Sequence, residues 1–335
     1  MNSNRLCQVL GIRYPIVQAP MNWITGADLA AAVSNAGGLG TLGPNAGAKT
    51  ITRDVEEIGE RLRRQIRKIK SLTSAPFAVN FPVGLEGVEG EGGRAFSRRC
   101  VQVALEEGIK VAITSVGAPN VYTQTFKEAG VKVLHAVSTA GQAKKAEAVG
   151  VDAVICEGYE GGGHKALTGL TTLVLVPMAA DAVNIPVVAG GGIADARGMV
   201  AALALGADGI YMGTRFLATL ECDAHPKVKE ATINSGDTST MSINKWVMEA
   251  RDLQNNFTKK FLEMRTAEAS SEELLEFMNQ HSMYQALVLG DASDSEIPCG
   301  ENAGLINRVI SANEVVSSII NNIPSIMEKL KSKLA

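Results

Sequence analysis

The stretch Pro186–Arg215, PVVAGGGIADARGMVAALALGADGIYMGTR, holds two short apolar runs, VVAGGG and GIYMGTR, on either side of a helical pattern over Ala194–Leu205. Each run is apolar throughout, as in a strand buried on both faces, and each ends in glycine. At a strand end, glycine lets the backbone approach a ligand closely and leaves N–H groups bare for an anion. The positive end of the following helix adds to that field. Two such turns in succession, at Gly190-Gly191-Gly192 and Gly213-Thr214, predict a phosphate grip on the last two strands of a (β/α)8 barrel, where that fold holds phosphate. A single glycine cluster would read as a tight βα turn, and it is the pair at this spacing that carries the phosphate reading.

Outward from this stretch, the same alternation runs back to the start. Strands are predicted at Pro15–Met21, Leu39–Gly43, Phe77–Val83, Val111–Gly117, Lys132–Val137 and Asp152–Gly158, each followed by a helical pattern. With the two runs above the count is eight. Parallel βα alternation closed at eight predicts an α/β fold, a (β/α)8 TIM barrel, over residues 1–220. The basic run RLRRQIRKIK (Arg61–Lys70) alternates with helix-spaced Ile58, Leu62, Ile66 and Ile69 and reads as a solvated face. The glycine- and glutamate-rich segment 84–94 reads either as a lid over the barrel mouth or as a flexible insertion.

From Glu221 to Cys299 the rhythm changes to helical stretches carrying Trp246, Phe257, Phe261, Leu274, Phe277 and Tyr284. A small helical domain is predicted at 221–299, inserted after the eighth strand on the substrate side. Residues 300–335 then return to the barrel as helices, with a capping pattern at Ser311 and Glu314 and a last helix opened by Pro324.

The 335 residues are 46% hydrophobic and 20% charged, with net charge −3, the balance of a soluble protein with a large core. That charge supports neither nucleic-acid nor anionic-membrane binding. Five scattered cysteines without CxxC spacing argue for a reducing cytoplasm and against a disulfide framework or zinc. No basic, then apolar, leader opens the chain, and no apolar run is long enough to span a bilayer.

Strand-end residues have the first claim on function in a barrel. Here they are mostly small or neutral: Met21 and Asn22 after the first strand, Asn80 in the third, Glu157 at the sixth, then the glycines of the last two. A rim so poor in charge suits a flat, largely apolar ligand with a phosphate at one side, a flavin mononucleotide better than a sugar phosphate. The exception is His164, behind three glycines just past the sixth strand. Histidine is suited to proton transfer near neutral pH, and glycines let it stand over a bound ring. His135 lies inside an apolar strand and reads as structural, His225 as a cap, and His281 has no evident partner. The four histidines show no metal-ligand spacing, and no thiol has a neighbouring base.

The motifs QAPMNW (18–23), AVSNAGGLGTLG (32–43), VNF (79–81), EGYEGGGH (157–164), VVAGGGIADARG (187–198) and MGTRFLAT (212–219), with Glu221-Cys222 and His225-Pro226 after them, together resemble the FMN-dependent nitronate monooxygenases, formerly called 2-nitropropane dioxygenases. The same superfamily includes flavin-dependent enoyl-acyl-carrier-protein reductases and some NAD(P)H:quinone reductases. The resemblance covers Ile12 to about Ile310. It implies FMN near Met21 and Asn22, with Asn80 reaching the ring and Glu157 beside the cofactor. Its phosphate would lie on Gly190, Gly191, Gly192, Gly213 and Thr214. Gly162, Gly163 and His164 would line the ring's open face, with His164 the catalytic residue.

Some nitronate monooxygenases carry a lysine right after the histidine of the fifth strand. Ala136 stands there instead, which leans toward a reductase, whereas the DARG and MGTRFLAT segments lean toward the monooxygenase and quinone-reductase side. The resemblance therefore implies an FMN oxidoreductase that oxidises alkyl nitronates with O2, or alternatively an NAD(P)H-dependent reductase of enoyl thioesters or quinones. Small-molecule substrates, a cytoplasmic location and a homodimer complete the expectation.

Overall fold

The computed structural model describes residues 3–84, 90–245 and 248–335. Eight parallel strands follow one another around a barrel: β1 (Ile16–Gln18), β2 (Gly40–Leu42), β3 (Phe77–Pro82), β4 (Val111–Ser115), β5 (Lys132–Val137), β6 (Ala153–Glu157), β8 (Val187–Gly190) and β9 (Gly209–Met212). A short β7 (Gly163–Lys165) stands outside this ring. The sheet order runs from β1 through β9, β8, β6, β5, β4 and β3 to β2. It closes where Leu39 N donates to Ile16 O at 2.8 Å and Gln18 N to Leu39 O at 2.9 Å.

Alternation along the strands separates two cores. Val17, Leu39, Ala78, Ile113, Leu134, Ile155, Val188 and Tyr211 fill the barrel, and Leu6, Cys7 and Leu10 of the helix Arg5–Leu10 close its lower end. Ile16, Val79, Ala112, Val133, Val154, Ala189 and Ile210 face the surrounding helices. Residues on one face of a strand share parity, so Asn80, Ala136 and Glu157 continue the inward set at the upper ends of their strands. His135 belongs to the outward set. It is 3% exposed, its Nδ1 lies 2.7 Å from Thr114 Oγ1, and burial lowers its pKa to about 4, as its structural reading requires.

The basic helix Val55–Leu72 keeps its cations on neighbouring carboxylates, Arg63 with Glu60, Glu106 and Glu107, and Lys68 with Asp28. Of the segment 84–94, residues 85–89 lie outside the described residues, and the helix Gly90–Glu106 starts directly after them.

The insertion differs from the strandless region expected. Beside the helices Pro226–Ile233, Asn256–Thr266, Ser271–Gln280 and Met283–Leu287 it carries an antiparallel pair, β10 (Thr240–Lys245) and β11 (Met248–Leu253). β11 also pairs antiparallel with β7, setting Gly163 opposite Arg251, His164 opposite Ala250 and Lys165 opposite Glu249. Ile243 and Ala250 are fully buried with Phe257, Phe261 and Leu274, so partners from distant chain segments decide these strands over weak local alternation. Trp246 lies outside the described residues. His225 caps its helix as expected, its Nδ1 accepting from Lys227 N at 3.3 Å. Pro324 opens no new helix: the helix Ala312–Leu334 runs through it, capped by Ser311. Among the described residues no helix is long and apolar enough to cross a membrane.

Candidate active site

The upper ends of β8 and β9 lie side by side, with Gly190 opposite Tyr211. Beyond them, Gly191 and Gly192 have φ of 101° and 73°, the left-handed region that glycine occupies without strain. Among the described residues, no protein group accepts from the N–H groups of Gly191, Gly192, Gly213 or Thr214. A Cβ at Gly213 would meet nothing nearer than Ala19 Cβ at 3.6 Å, followed by Met21 Sδ at 3.8 Å. Four donors without partners on adjacent strand ends fit an anion such as a flavin phosphate. The helix Ala196–Ala204 adds less than expected, because Asp195 Oδ1 already accepts from Arg197 N and Gly198 N at 2.8 and 3.4 Å.

A wall on this site comes from a segment that sequence reasoning treated only as a return. Gly300 N donates to Thr214 Oγ1 at 3.0 Å, Asn302 Nδ2 to Ile193 O at 2.8 Å, and Glu301 N to Glu160 O at 3.0 Å. The chain around Cys299 and Gly300 packs so closely on Gly162 that an added Cβ there would stand 2.6 Å from Gly300 N. At Gly163 an added Cβ would make only an ordinary contact, 3.6 Å to Pro298 Cβ, and it is the φ of 76° that favours glycine there. Backbone packing thus requires glycine at Gly162, and backbone conformation favours it at Gly163.

His164 is exposed on β7, held in place by the hairpin. Next to it, Lys165 Nζ donates to Tyr159 O at 2.8 Å and stands 4.3 Å from the centre of the Tyr159 ring. The Arg251 guanidinium lies 4.8 Å from that ring and pairs with Glu301 at 2.8 Å. Burial, helped by Arg251, lowers Lys165 to about 8. Glu157, at the end of β6, is pushed up to about 7 by desolvation, against the opposing pull of Lys165, and its charge in turn helps raise Tyr211. Sequence reasoning singled out Glu157 and His164 but missed Tyr159, Lys165 and Arg251. Tyr159 lies inside the motif EGYEGGGH and Lys165 directly after His164, whereas nothing local signalled Arg251.

On the opposite rim, Met21 N donates to no strand carbonyl and instead donates to Thr25 Oγ1 at 3.1 Å, and Asn45 Nδ2 donates to Asn22 Oδ1 at 3.0 Å. Asn80, 7% exposed, donates through Nδ2 to Ile113 O at 3.1 Å and to Ser115 Oγ at 3.2 Å. The structure thus places Met21 beside Gly213, and Glu157 in one electrostatic group with Tyr211 and Lys165. Asn22 and Asn80 stand on the β1 and β3 side of the same rim.

Comparison with known proteins agrees with the fold. The chain is similar to FabK from Thermotoga maritima, with a TM-score of 0.87 at 35% identity over 98% of this chain and 99% of that one. A probable nitronate monooxygenase from Staphylococcus saprophyticus is 31% identical, covering 98% of this chain and 99% of its own. A (3aS,4S,5R,7aS)-5-hydroxy-7a-methyl-1-oxo-octahydro-1H-indene-4-carboxyl-CoA dehydrogenase from Mycobacterium tuberculosis is 38% identical over 70% of this chain, which spans 61% of that relative's length. The family model for nitronate monooxygenase matches residues 3–322, and with the barrel, the paired glycine turns and the histidine strand in place, the chain belongs to the nitronate monooxygenase family.

Proposed function

We propose that the protein is an FMN-dependent oxidoreductase that oxidises alkyl nitronates with O2. The family is flavin-dependent. The observation that carries the reading is the set of N–H groups without protein acceptors at Gly191, Gly192, Gly213 and Thr214, one strand away from the loop that ends in His164. These four residues, with Gly190, hold the phosphate. Met21, Asn22, Asn80 and Glu157 frame the ring from the rim, and Gly162 and Gly163 carry His164 over its open face. When bound, the flavin takes electrons from the substrate and delivers them to oxygen.

The chain's own part is positioning and proton handling. His164, exposed on a strand fixed at both neighbours by β11, holds or moves a proton at the substrate's α-carbon or nitro group. Lys165 and Arg251 keep positive charge beside the anionic substrate, a favourable field in a partly desolvated cup. Glu157, raised to about 7, is largely neutral in mildly acidic conditions and adds little repulsion there.

A second reading, an NAD(P)H-dependent reductase of enoyl thioesters or quinones, is favoured by one observation. Ala136 packs in the inward set, so this mouth-facing place on β5 carries no cation. Anaerobic stopped-flow absorbance of FMN-loaded protein separates the two. Fast flavin bleaching by a simple alkyl nitronate, with no response to NADH or NADPH, is the expected result. Bleaching by a nicotinamide with reoxidation by an enoyl thioester or quinone would replace the first reading with the second.

A further inference from the structure

Among the described residues, four other than glycine have φ in the left-handed region, and three of them follow barrel strands at the mouth: Trp23 at 71° after β1, Asn45 at 53° after β2 and Val116 at 52° after β4. Asparagine tolerates that conformation, whereas a β-branched residue in it is a genuine outlier. Trp23 recovers its strain in packing, since it is buried in the main core with its ring 4.9 Å from that of Tyr284. Val116 does not. It is half-buried, and among the described residues no apolar cluster includes it.

The surroundings fix this backbone from both sides. Before Val116, Ser115 O accepts from Val83 N at 2.8 Å, and Ser115 Oγ accepts from Asn80 Nδ2 at 3.2 Å. After it, Gly117 lies so close to the chain past β3 that an added Cβ would stand 2.7 Å from Gly84 O. Strain of this size weakens the folding equilibrium roughly 5- to 150-fold, persists only where the surroundings over-determine it, and gathers at ligand sites. Glycine would relieve it, so the valine side chain is kept for something other than stability. Its place says what. β4, β5 and β6 are neighbours, and β4 stands across the ring from β9, so a ligand whose phosphate sits at Gly213 and Thr214 extends toward β4. On β5 the small Ala136 joins the inward set, with Val116 to one side of it and the loop to His164 on the other.

We propose that Val116 is a specificity-determining residue, its side chain forming the wall that faces His164 across the space above Ala136. The wall sets how much bulk the substrate can carry at its reacting carbon. The inference rests on the nitronate reading and deepens it, because His164 serves the same carbon there.

The test compares wild type with Val116→Ala and Val116→Gly. Urea unfolding of the apo protein reads the strain: Val116→Gly should equal or exceed wild type in stability, and a clear loss would make the valine a packing residue and overturn the proposal. The two nitronates of nitropropane, with the reacting carbon at position 1 or position 2, contain the same atoms and differ only in branching. One carbon against a fitted wall is worth roughly 10–200-fold in discrimination. The ratio of kcat/KM for the branched over the unbranched isomer should therefore rise at least about tenfold in Val116→Gly and by an intermediate factor in Val116→Ala. A ratio that stays near the wild-type value overturns the proposal, and so does loss of FMN from Val116→Gly, which would set the side chain against the flavin. If neither nitronate is oxidised, the nitronate reading fails alone, and calorimetric titration of the FMN-loaded proteins with neutral 1-nitropropane and 2-nitropropane decides the wall. There the same rise in the ratio of affinities upholds it, and a constant ratio overturns it.

Discussion

Replacing Gly162 by alanine probes the joint between the histidine loop and the returning chain. The added Cβ would stand 2.6 Å from the Cys299 carbonyl carbon, 2.6 Å from Gly300 N and 2.9 Å from Cys299 Cα, all backbone atoms. Relaxed carbon contacts lie at roughly 3.5–4.0 Å, so the two segments must part by about 1 Å. Overpacking of this kind costs roughly 1–3 kcal/mol. Separation also stretches the 3.0 Å bond from Gly300 N to Thr214 Oγ1. A lost hydrogen bond adds about 1 kcal/mol.

Because Thr214 belongs to the proposed phosphate grip, much of this strain should appear as weaker flavin binding. With about 2 kcal/mol expressed there, FMN affinity falls roughly 30-fold. Flavin-fluorescence titration reads that change, and urea unfolding of the apo protein reads the remainder. Gly141→Ala is the control. It lies within the helix Ala140–Ala148 with nothing nearer than Thr139 Oγ1 at 3.9 Å, and should stabilise by about 0.5–1 kcal/mol without touching FMN. If Gly162→Ala binds FMN within twofold of wild type at unchanged stability, the returning chain is not part of the site.

Glu157 and His135 predict opposite pH effects in one window. Between pH 4.5 and 6.5 native Glu157, raised from 4.5 to about 7, keeps a proton that the unfolded chain releases, so its contribution to stability falls as pH rises. Native His135, lowered from 6.5 to about 4, refuses a proton that the unfolded chain takes up, so its contribution rises with pH. Relative to wild type, Glu157→Gln should gain, and His135→Gln lose, a slope of about 2 kcal/mol across the window in urea midpoints of the apo protein. Curves parallel to wild type would contradict the assigned environments. His164→Ala should lower kcat for nitronate oxidation by roughly 10²–10⁴ with FMN binding retained, and unchanged turnover would exclude a proton-transfer role. All five cysteines are buried, and burial pushes Cys100, Cys156, Cys222 and Cys299 up to about 12. A thiol reagent should therefore label the native protein slowly and five sites after denaturation, and rapid native labelling would show that these side chains reach solvent.

The barrel was legible because its buried parallel strands are short, mainly apolar runs, most of them with a glycine at or just past the end, a signal carried by the strand itself. The rim residues were legible for the same reason, since they follow such runs directly. β10 and β11 were not. Ser242, Asn244, Glu249, Arg251 and Asp252 break any strong pattern, and the pair exists because Ile243 and Ala250 pack on Phe257 and Phe261 while β11 finds β7. The group of Tyr159, Lys165, Arg251 and Glu301 spans more than a hundred positions, and no local period encodes its meeting. Pro324 misled because proline usually marks a helix start, whereas packing of Val315, Val316 and Ile319 carries this helix onward.

The pairing of β7 with β11 has a consequence for synthesis. All eight barrel strands are made once Met212 is in the chain, yet the strand that carries His164 waits for residues up to Leu253, and the wall against Thr214 waits for Gly300 and Asn302. The helix Ala312–Leu334, which packs on Ala27–Asn35 and Ala196–Ala204 and adds Val315, Val316 and Ile319 to the core around the barrel, comes later still. A chain stalled or clipped near residue 220 would lack both that outer cover and the finished mouth, so barrel completion and cofactor capture become late events that report on completed translation.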